Sequence, residues 1–309
     1  MKFFQKFLFC FGFSIGLLHA QQFNALDQLK KPSGENFSFV IIGDRTKAGP
    51  SSWEILEKAI PKINALHPDF IIHIGDVIEG GNTFSELETQ WKEALTHLSK
   101  LQTVVFLTPG NHDIPNARGC TVWQNHFGKV PYGFSFGNAH FIVLNTEAGA
   151  CGGQRIENFG QSQIDFLKEY LKSYRKGQKL FLFMHKPAWL MKGTLQSEWL
   201  KIESLLSRTS FIVFAGHAHV LAGEKRGNAK YFVVGPTGGA LRTEPNPALG
   251  SLHHFTLVQV QGDSVKITFH AEGIIYPESL AYETYNGLLE NFLLLKNQEY
   301  LKKLFKTTP

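Results

Sequence analysis

Five apolar stretches along the chain each end on a side chain able to hold a cation: Phe37 to Asp44, Phe70 to Asp76, Val104 to Asp113, Leu180 to His185 and Phe211 to His219. Short runs rich in β-branched and aromatic residues, closed by Gly or Pro, predict buried strands. Between and beside them, apolar residues recur at helical spacing from Ser52 to Leu66, Ser85 to Lys100, Ser162 to Arg175 and Gln196 to Ser207. Thr83 or Ser85 ahead of Glu86 and Glu88 supplies a capping signal for the second helix. A hairpin is expected where Tyr132 to Phe136 and His140 to Asn145 flank Gly137-Asn138-Ala139. A later antiparallel section is expected from Tyr231 to Val234, His254 to Val260 and Val265 to His270, with Gly235 to Gly250 as a long loop.

This pattern predicts the α/β class, in an α+β four-layer form: two packed mixed β-sheets flanked by helices. In such sheets ligands sit just outside the carboxyl ends of the strands, so five endings can converge on one crevice.

The ends of the chain read differently. Lys2 and Lys6 precede an apolar stretch from Phe7 to Leu18, and Ala20 stands before Gln21-Gln22. That order fits a signal peptide over residues 1–20, cleaved after Ala20, and places the mature protein in the periplasm or outside the cell. No integral membrane segment is expected after cleavage. One domain is expected over residues 21–275, and a helical extension over 276–309, where Leu288, Phe292 and Leu295 share one helical face.

Composition adds bounds. Of 309 residues, 43% are hydrophobic and 18% charged, as in a globular protein with a large core. The formal net charge is +5, or 5 − 2 = +3 without Lys2 and Lys6. So mild an excess, with no basic stripe, gives no argument for nucleic-acid binding, though it can help draw an anionic substrate towards a cleft. Cys120 and Cys151 are an even pair once Cys10 is removed with the signal, so a disulfide and two buried thiols are both open. Neither a Gly-x-Ser-x-Gly elbow nor a phosphate-cradling glycine loop is present.

The candidate chemistry therefore rests on Gly43-Asp44, Gly75-Asp76, Gly110-Asn111-His112-Asp113, Met184-His185-Lys186-Pro187 and Gly216-His217-Ala218-His219. Two ions about 3.5–4 Å apart need a shared carboxylate to damp their repulsion, and Asp76 is the candidate bridge. His217 and His219, two apart, leave an extended strand on one side. His112 directly follows the candidate ligand Asn111 and is free to protonate a leaving oxygen, with Asp113 as the candidate carboxylate orienting its ring.

These pieces, in this order, resemble the calcineurin-like metallophosphoesterase superfamily, which includes purple acid phosphatases and many phosphodiesterases. The resemblance implies a phosphoric ester hydrolase with two metal ions: Asp44, Asp76 and His219 on the first, and Asp76, Asn111, His185 and His217 on the second. It implies in-line attack by hydroxide held between the ions, with His112 and Asp113 as the catalytic pair. Mixed carboxylate, amide and imidazole donors suit manganese, iron or zinc alike. A phosphomonoester or phosphodiester is the implied small substrate. A metal-binding protein without catalysis is the competing reading, since one position departs from the family.

Most members continue the first motif as Asp-x-His, whereas this chain has Asp44-Arg45-Thr46. Purple acid phosphatases instead place a tyrosine three residues after the bridging aspartate, where this chain has Glu79. Glu79 is thus a further candidate ligand, with Thr46 or water as alternatives. Arg45 reads as a phosphate clamp or an ordinary ion-pair partner. His73, His126, His140, His253 and His254 read as structural, Arg118 and Arg242 as surface residues, and Trp53, Trp91 and Trp123 as packing groups.

Overall fold

The computed structural model describes residues 23–286, apart from 33 and 155. The expected signal peptide and most of the expected C-terminal helix lie outside the described residues. In chain order the elements are β1 (Phe37–Ile42), α1 (Ser51–Ala65), β2 (Phe70–His73), α2 (Phe84–Leu98), β3 (Val105–Leu107), α3 (Ala117–Phe127), β4 (Tyr132–Phe136) and β5 (Ala139–Val143). Then come α4 (Ala148–Cys151), α5 (Gln161–Tyr170), β6 (Lys179–Phe183), α6 (Thr194–Leu206), β7 (Phe211–Ala215), β8 (Ala222–Arg226), β9 (Ala229–Val233), β10 (Phe255–Gln261), β11 (Ser264–Ala271) and β12 (Ile274–Pro277).

Two six-stranded mixed sheets form, one ordered β12-β11-β10-β1-β2-β3 and the other β4-β5-β6-β7-β9-β8. The motif-bearing strands are the parallel ones. β1, β2 and β3 run together in the first sheet, and β6 and β7 in the second. Their unbroken apolar character follows from burial on both faces. Phe39 and Ile41 point between the sheets, while Val40 and Ile42 pack under the helices of the first sheet. Phe181 and Phe183 likewise face inward, and Leu180 and Leu182 face α5 and α6. Helices, sheet, sheet and helices make four layers, as the sequence predicts.

Phenylalanine fills the inter-sheet layer. Phe39 stacks on Phe70 at 5.2 Å, and Phe70 meets Phe141 edge-on at 5.1 Å across the two sheets. Each fully buried ring of this kind stabilises the fold by about 1.5–3 kcal/mol relative to exposure. The two sheets are thereby held as one body beneath the strand ends.

Several elements differ from expectation. Residues 117–127 form α3, a helix not among the four expected. The Asn116 side chain caps it by accepting the Arg118 and Gly119 N–H groups, and Cys120, Trp123 and Phe127 are its buried face. β9 lies in the second sheet, not beside β10 and β11, because alternation along a strand does not reveal its partner. β8 and β12 were not expected; β8 ends in the charged run Glu224-Lys225-Arg226 and both are sheet edges. β12 crosses the expected boundary at 275, so the first sheet continues past it. On α2, Thr83 and Glu86 form the full capping box, which decides between the two expected caps. No helix among the described residues is long and apolar enough to cross a membrane.

Candidate metal centre

The carboxyl ends of β1, β2, β3, β6 and β7 bring their terminal residues together. Asp76, His185 and His217 offer ligand atoms that all lie within 4.8 Å of one another, and all three residues are buried. His185 Nε2 is 3.2 Å from Asp76 Oδ2, and His185 Nδ1 is 4.0 Å from Asp44 Oδ1. His219 Nε2 is 3.0 Å from Asp44 Oδ2. His112 Nε2 stands 3.9 Å from Asp76 Oδ2.

Glycine directly precedes Asp44, Asp76, Asn111 and His217, and at two of these positions the reason is steric. A Cβ at Gly110 would lie 2.2 Å from Asp76 Oδ1, and one at Gly216 would lie 2.4 Å from Asp44 Oδ1. Asn111 is therefore carried directly beside Asp76. The backbone is also held in an uncommon form: Asp76, His217 and His219 have φ of 55°, 68° and 54°. Left-handed conformations at non-glycine residues cost of order 1–3 kcal/mol each and persist where surroundings impose them, frequently at functional sites.

Those surroundings are visible. The His217 N–H donates to Asp44 Oδ2 at 3.0 Å, and the N–H groups of Gly238 and Gly239 both donate to the Asp44 carbonyl. His219 Nδ1 donates to the Ala240 carbonyl and His185 Nδ1 to that of Ile74, so each ring turns Nε2 toward the carboxylates. Arg242 donates to the carbonyls of Ala218 and His217, which gives it a structural place at the rim that the surface reading missed.

Charge at the centre is strongly perturbed. Burial disfavours protonation of His185, but the charges of Asp76 and Asp44 prevail and raise it to about 9. Burial likewise opposes ionisation of Asp76, yet the charge and hydrogen bond of His185, and after them His112, hold its carboxyl well below the usual range. His217 is driven well below its ordinary value by burial and then by the His185 charge, so it is a neutral imidazole.

The ligand set also includes buried atoms whose hydrogen-bonding capacity is not met, although His185 Nε2 lies against Asp76 Oδ2. His185 Nε2, His217 Nε2, Asn111 Oδ1 and Thr46 Oγ1 are buried and make no hydrogen bond among the described residues. Such atoms are costly in a folded protein unless something else satisfies them. Oxygen and imidazole donors around buried carboxylates are the set a first-row transition metal takes. The residues present therefore fit a metal ion.

Two expectations need correction. Asp113 does not orient His112. Its oxygens accept the backbone N–H groups of Asp76, Val77, Ile78 and Gly110 at 2.7, 2.9, 3.1 and 2.9 Å, tying the loop after β2 to that after β3. Burial and the Asp76 charge push this carboxyl up to about 7 against the pull of those donors. His112 is instead oriented by a backbone carbonyl, its Nδ1 donating to Glu79 O at 2.7 Å. The Glu79 carboxylate is also not among the gathered donors: it pairs with Arg45 at 3.3 Å, accepts the Lys47 N–H at 3.0 Å and is 42% exposed. Arg45 itself donates to the Val77 carbonyl and lies over the Trp53 ring at 4.4 Å, so the ion-pair reading holds.

Other histidines behave as structural groups. His73 is wholly buried, accepts the Gly75 N–H and is lowered by burial to about 3. His140 bonds Gln178 and sits between Ser135 and Tyr170, and His126 pairs with Glu88. One cluster was missed: Lys186, next to His185, is buried against Glu147 at 2.9 Å and Glu157 at 2.8 Å. Burial disfavours its charge, but the two carboxylates raise it above its ordinary value. Nothing in the spacing of Glu147, Glu157 and Lys186 announces that contact. Cys120 and Cys151 form a disulfide joining α3 to α4.

Comparison with known proteins agrees with this geometry. Over 158 residues the chain is 23% identical to a probable cyclic nucleotide phosphodiesterase of Coxiella burnetii; the match spans 49% of this chain and 60% of the relative, so under two thirds of that protein's length is covered. A dimetal phosphatase from Danio rerio superposes with a TM-score of 0.60 at 14% identity, covering 78% of this chain and 98% of that one. The anchor in the inner membrane complex of Plasmodium superposes with a TM-score of 0.54 at 13% identity, covering 84% and 95%. At such identities the structures speak for a shared fold. The sequence model of the calcineurin-like phosphoesterases matches residues 37–228, more than half of the chain and every candidate ligand from Asp44 to His219, and the chain belongs to that family of phosphoric ester hydrolases.

Proposed function

We propose that the protein binds two metal ions and hydrolyses a small phosphomonoester or phosphodiester outside the cytoplasm. The observation that carries this reading is the buried meeting of Asp76, His185 and His217, with Asp44 and His219 beside them. Asp76 would be shared, Asp44 and His219 would complete one ion, and Asn111, His185 and His217 the other. Thr46 in place of histidine leaves the first ion with fewer protein ligands, and its buried Oγ1 makes no hydrogen bond of its own. Bound ions of this kind, manganese, iron or zinc, lower the pKa of water and offset charge on a phosphoryl group.

The chain's own groups do the rest. The Glu79 carbonyl fixes the His112 tautomer with the proton on Nδ1, so the proton given to a leaving oxygen is the one on Nε2 of the imidazolium. That nitrogen is near Asp76, and its ring is 19% exposed, open to an incoming ester. The Asp113 clamp keeps Asp76 and Asn111 in register so that His112 and the ligands share one geometry.

The diester reading is supported by the partial similarity to a probable cyclic nucleotide phosphodiesterase. The Cys120–Cys151 disulfide, together with the basic and apolar leader at residues 1–20, supports a periplasmic or secreted location. Chelated protein, given manganese, zinc or iron, should hydrolyse p-nitrophenyl phosphate or its bis-ester. The ratio of the two rates reports the monoester or diester preference. Failure on both esters with every metal would instead favour a metal-binding protein without catalysis.

A further inference from the structure

A cavity of about 330 Å³ opens between α1 and the β10–β12 end of the first sheet, a volume at the lower end of the range for small-molecule sites. Its apolar wall is built by Ile55, Ala59, Leu66, Phe255, Ile274 and Ile275. Ile274 and Ile275 are 54% and 62% exposed, on an edge strand where such side chains are poorly tolerated without cover.

The polar residues on the inner wall are already engaged with the protein. Thr237 donates to the His254 carbonyl, and His253 to that of Gly239. His254 turns Nδ1 to the Leu252 carbonyl and is kept neutral by burial, and His270 is engaged with Thr268. At the mouth the situation reverses. Lys58 and Lys62, one turn apart on the same face of α1, line the opening, both exposed. Among the described residues neither has an ion-pair partner, and Glu272 is the one carboxylate on the lining.

We infer that this cavity is a binding site for an amphiphilic carboxylate, an aliphatic chain seated on the isoleucine wall with its anionic head between Lys58 and Lys62. A neutral chain would leave the two ammonium groups unused, and a compact anion would leave the apolar wall wet. Charge and surface together select a molecule with both parts.

The test is calorimetric titration of the metal-loaded full chain with octanoate and with octylammonium, which differ in head-group charge on similar chains. Octanoate is expected to bind one per chain and at least tenfold more tightly than octylammonium. Lys58→Glu with Lys62→Glu should weaken octanoate at least tenfold, and Ala59→Phe, which fills the cavity, should abolish binding, with thermal melts confirming that both variants fold. Absence of octanoate binding, equal affinity for the two head groups, or binding that survives Ala59→Phe, as it would at the metal centre, overturns the inference.

Discussion

The Asp113 carboxylate accepts the backbone N–H of Asp76 at 2.7 Å, so a residue after β3 sets the posture of a residue in the loop after β2. Through the same two oxygens it holds Val77, Ile78 and Gly110. Asp113→Asn keeps the shape but turns an amide donor toward backbone donors. Metal affinity should fall about 10–100-fold, the range seen when groups supporting ligands are lost. Equilibrium dialysis against a chelator checks this, and unchanged affinity would show that the clamp is dispensable.

His112 has the complementary role. Its Nδ1–H is fixed on the Glu79 carbonyl, and under the proposed mechanism Nε2 is the atom that, once protonated, serves the leaving oxygen. His112→Ala should lower kcat by about 10²–10⁴ while metal content stays at the wild-type level. The loss should be larger for an alkyl ester than for a nitrophenyl ester, whose leaving group needs little protonation. Equal losses on both would contradict general-acid assistance.

Glu79→Ala separates ligation from support. Its carboxylate binds Arg45 and the Lys47 N–H, so metal stoichiometry and affinity should be unchanged. Because the pair is partly exposed, the stability cost should be at most about 1 kcal/mol. Metal analysis beside urea denaturation measures both, and loss of one ion would restore Glu79 as a ligand.

The metal-free protein should respond to pH through His185, raised to about 9. A folded value above the unfolded one, about 6.5, contributes stability that is present below 6.5 and lost as pH rises through 9. Metal must displace that same proton, so affinity should climb as pH rises towards 9 and then level. Competition titrations at several pH values, beside melts of chelated protein, report the opposite trends. A pH-independent affinity across this window would refute the assignment.

The Cys120–Cys151 disulfide closes 31 positions of chain between α3 and α4. Chain entropy gives such a loop a stabilisation of about 3–4 kcal/mol, and Cys120→Ser with Cys151→Ser should lower stability by about that amount. Denaturant unfolding of the double variant measures it; an unchanged midpoint would mean that the cross-link is energetically idle.

Much of the site was readable because parallel strands buried on both faces leave unbroken apolar runs, and the residues ending them must converge. Gly75, Gly110 and Gly216 each leave room for the close approach of a candidate ligand, His185, Asp76 and Asp44 in turn. Asp113 was misread because its partners are backbone groups, invisible to spacing, of which three lie more than 30 residues back. Lys186 was passed over for the same reason: Glu147 and Glu157 reach it only through the fold. The α3 helix was hidden by Arg118, Gly119, Gln124 and Asn125, which blur its apolar period. Gly119 is nevertheless required, as a Cβ there would lie 2.6 Å from Pro115.

The central claim is that Asp76 joins two ions held by the ends of both sheets. Anomalous diffraction from crystals soaked in manganese tests it most directly. The account predicts two peaks, both within coordination distance of Asp76, one also bound by Asp44 and His219 and the other by Asn111, His185 and His217. A single peak, or peaks that do not touch Asp76, would contradict it.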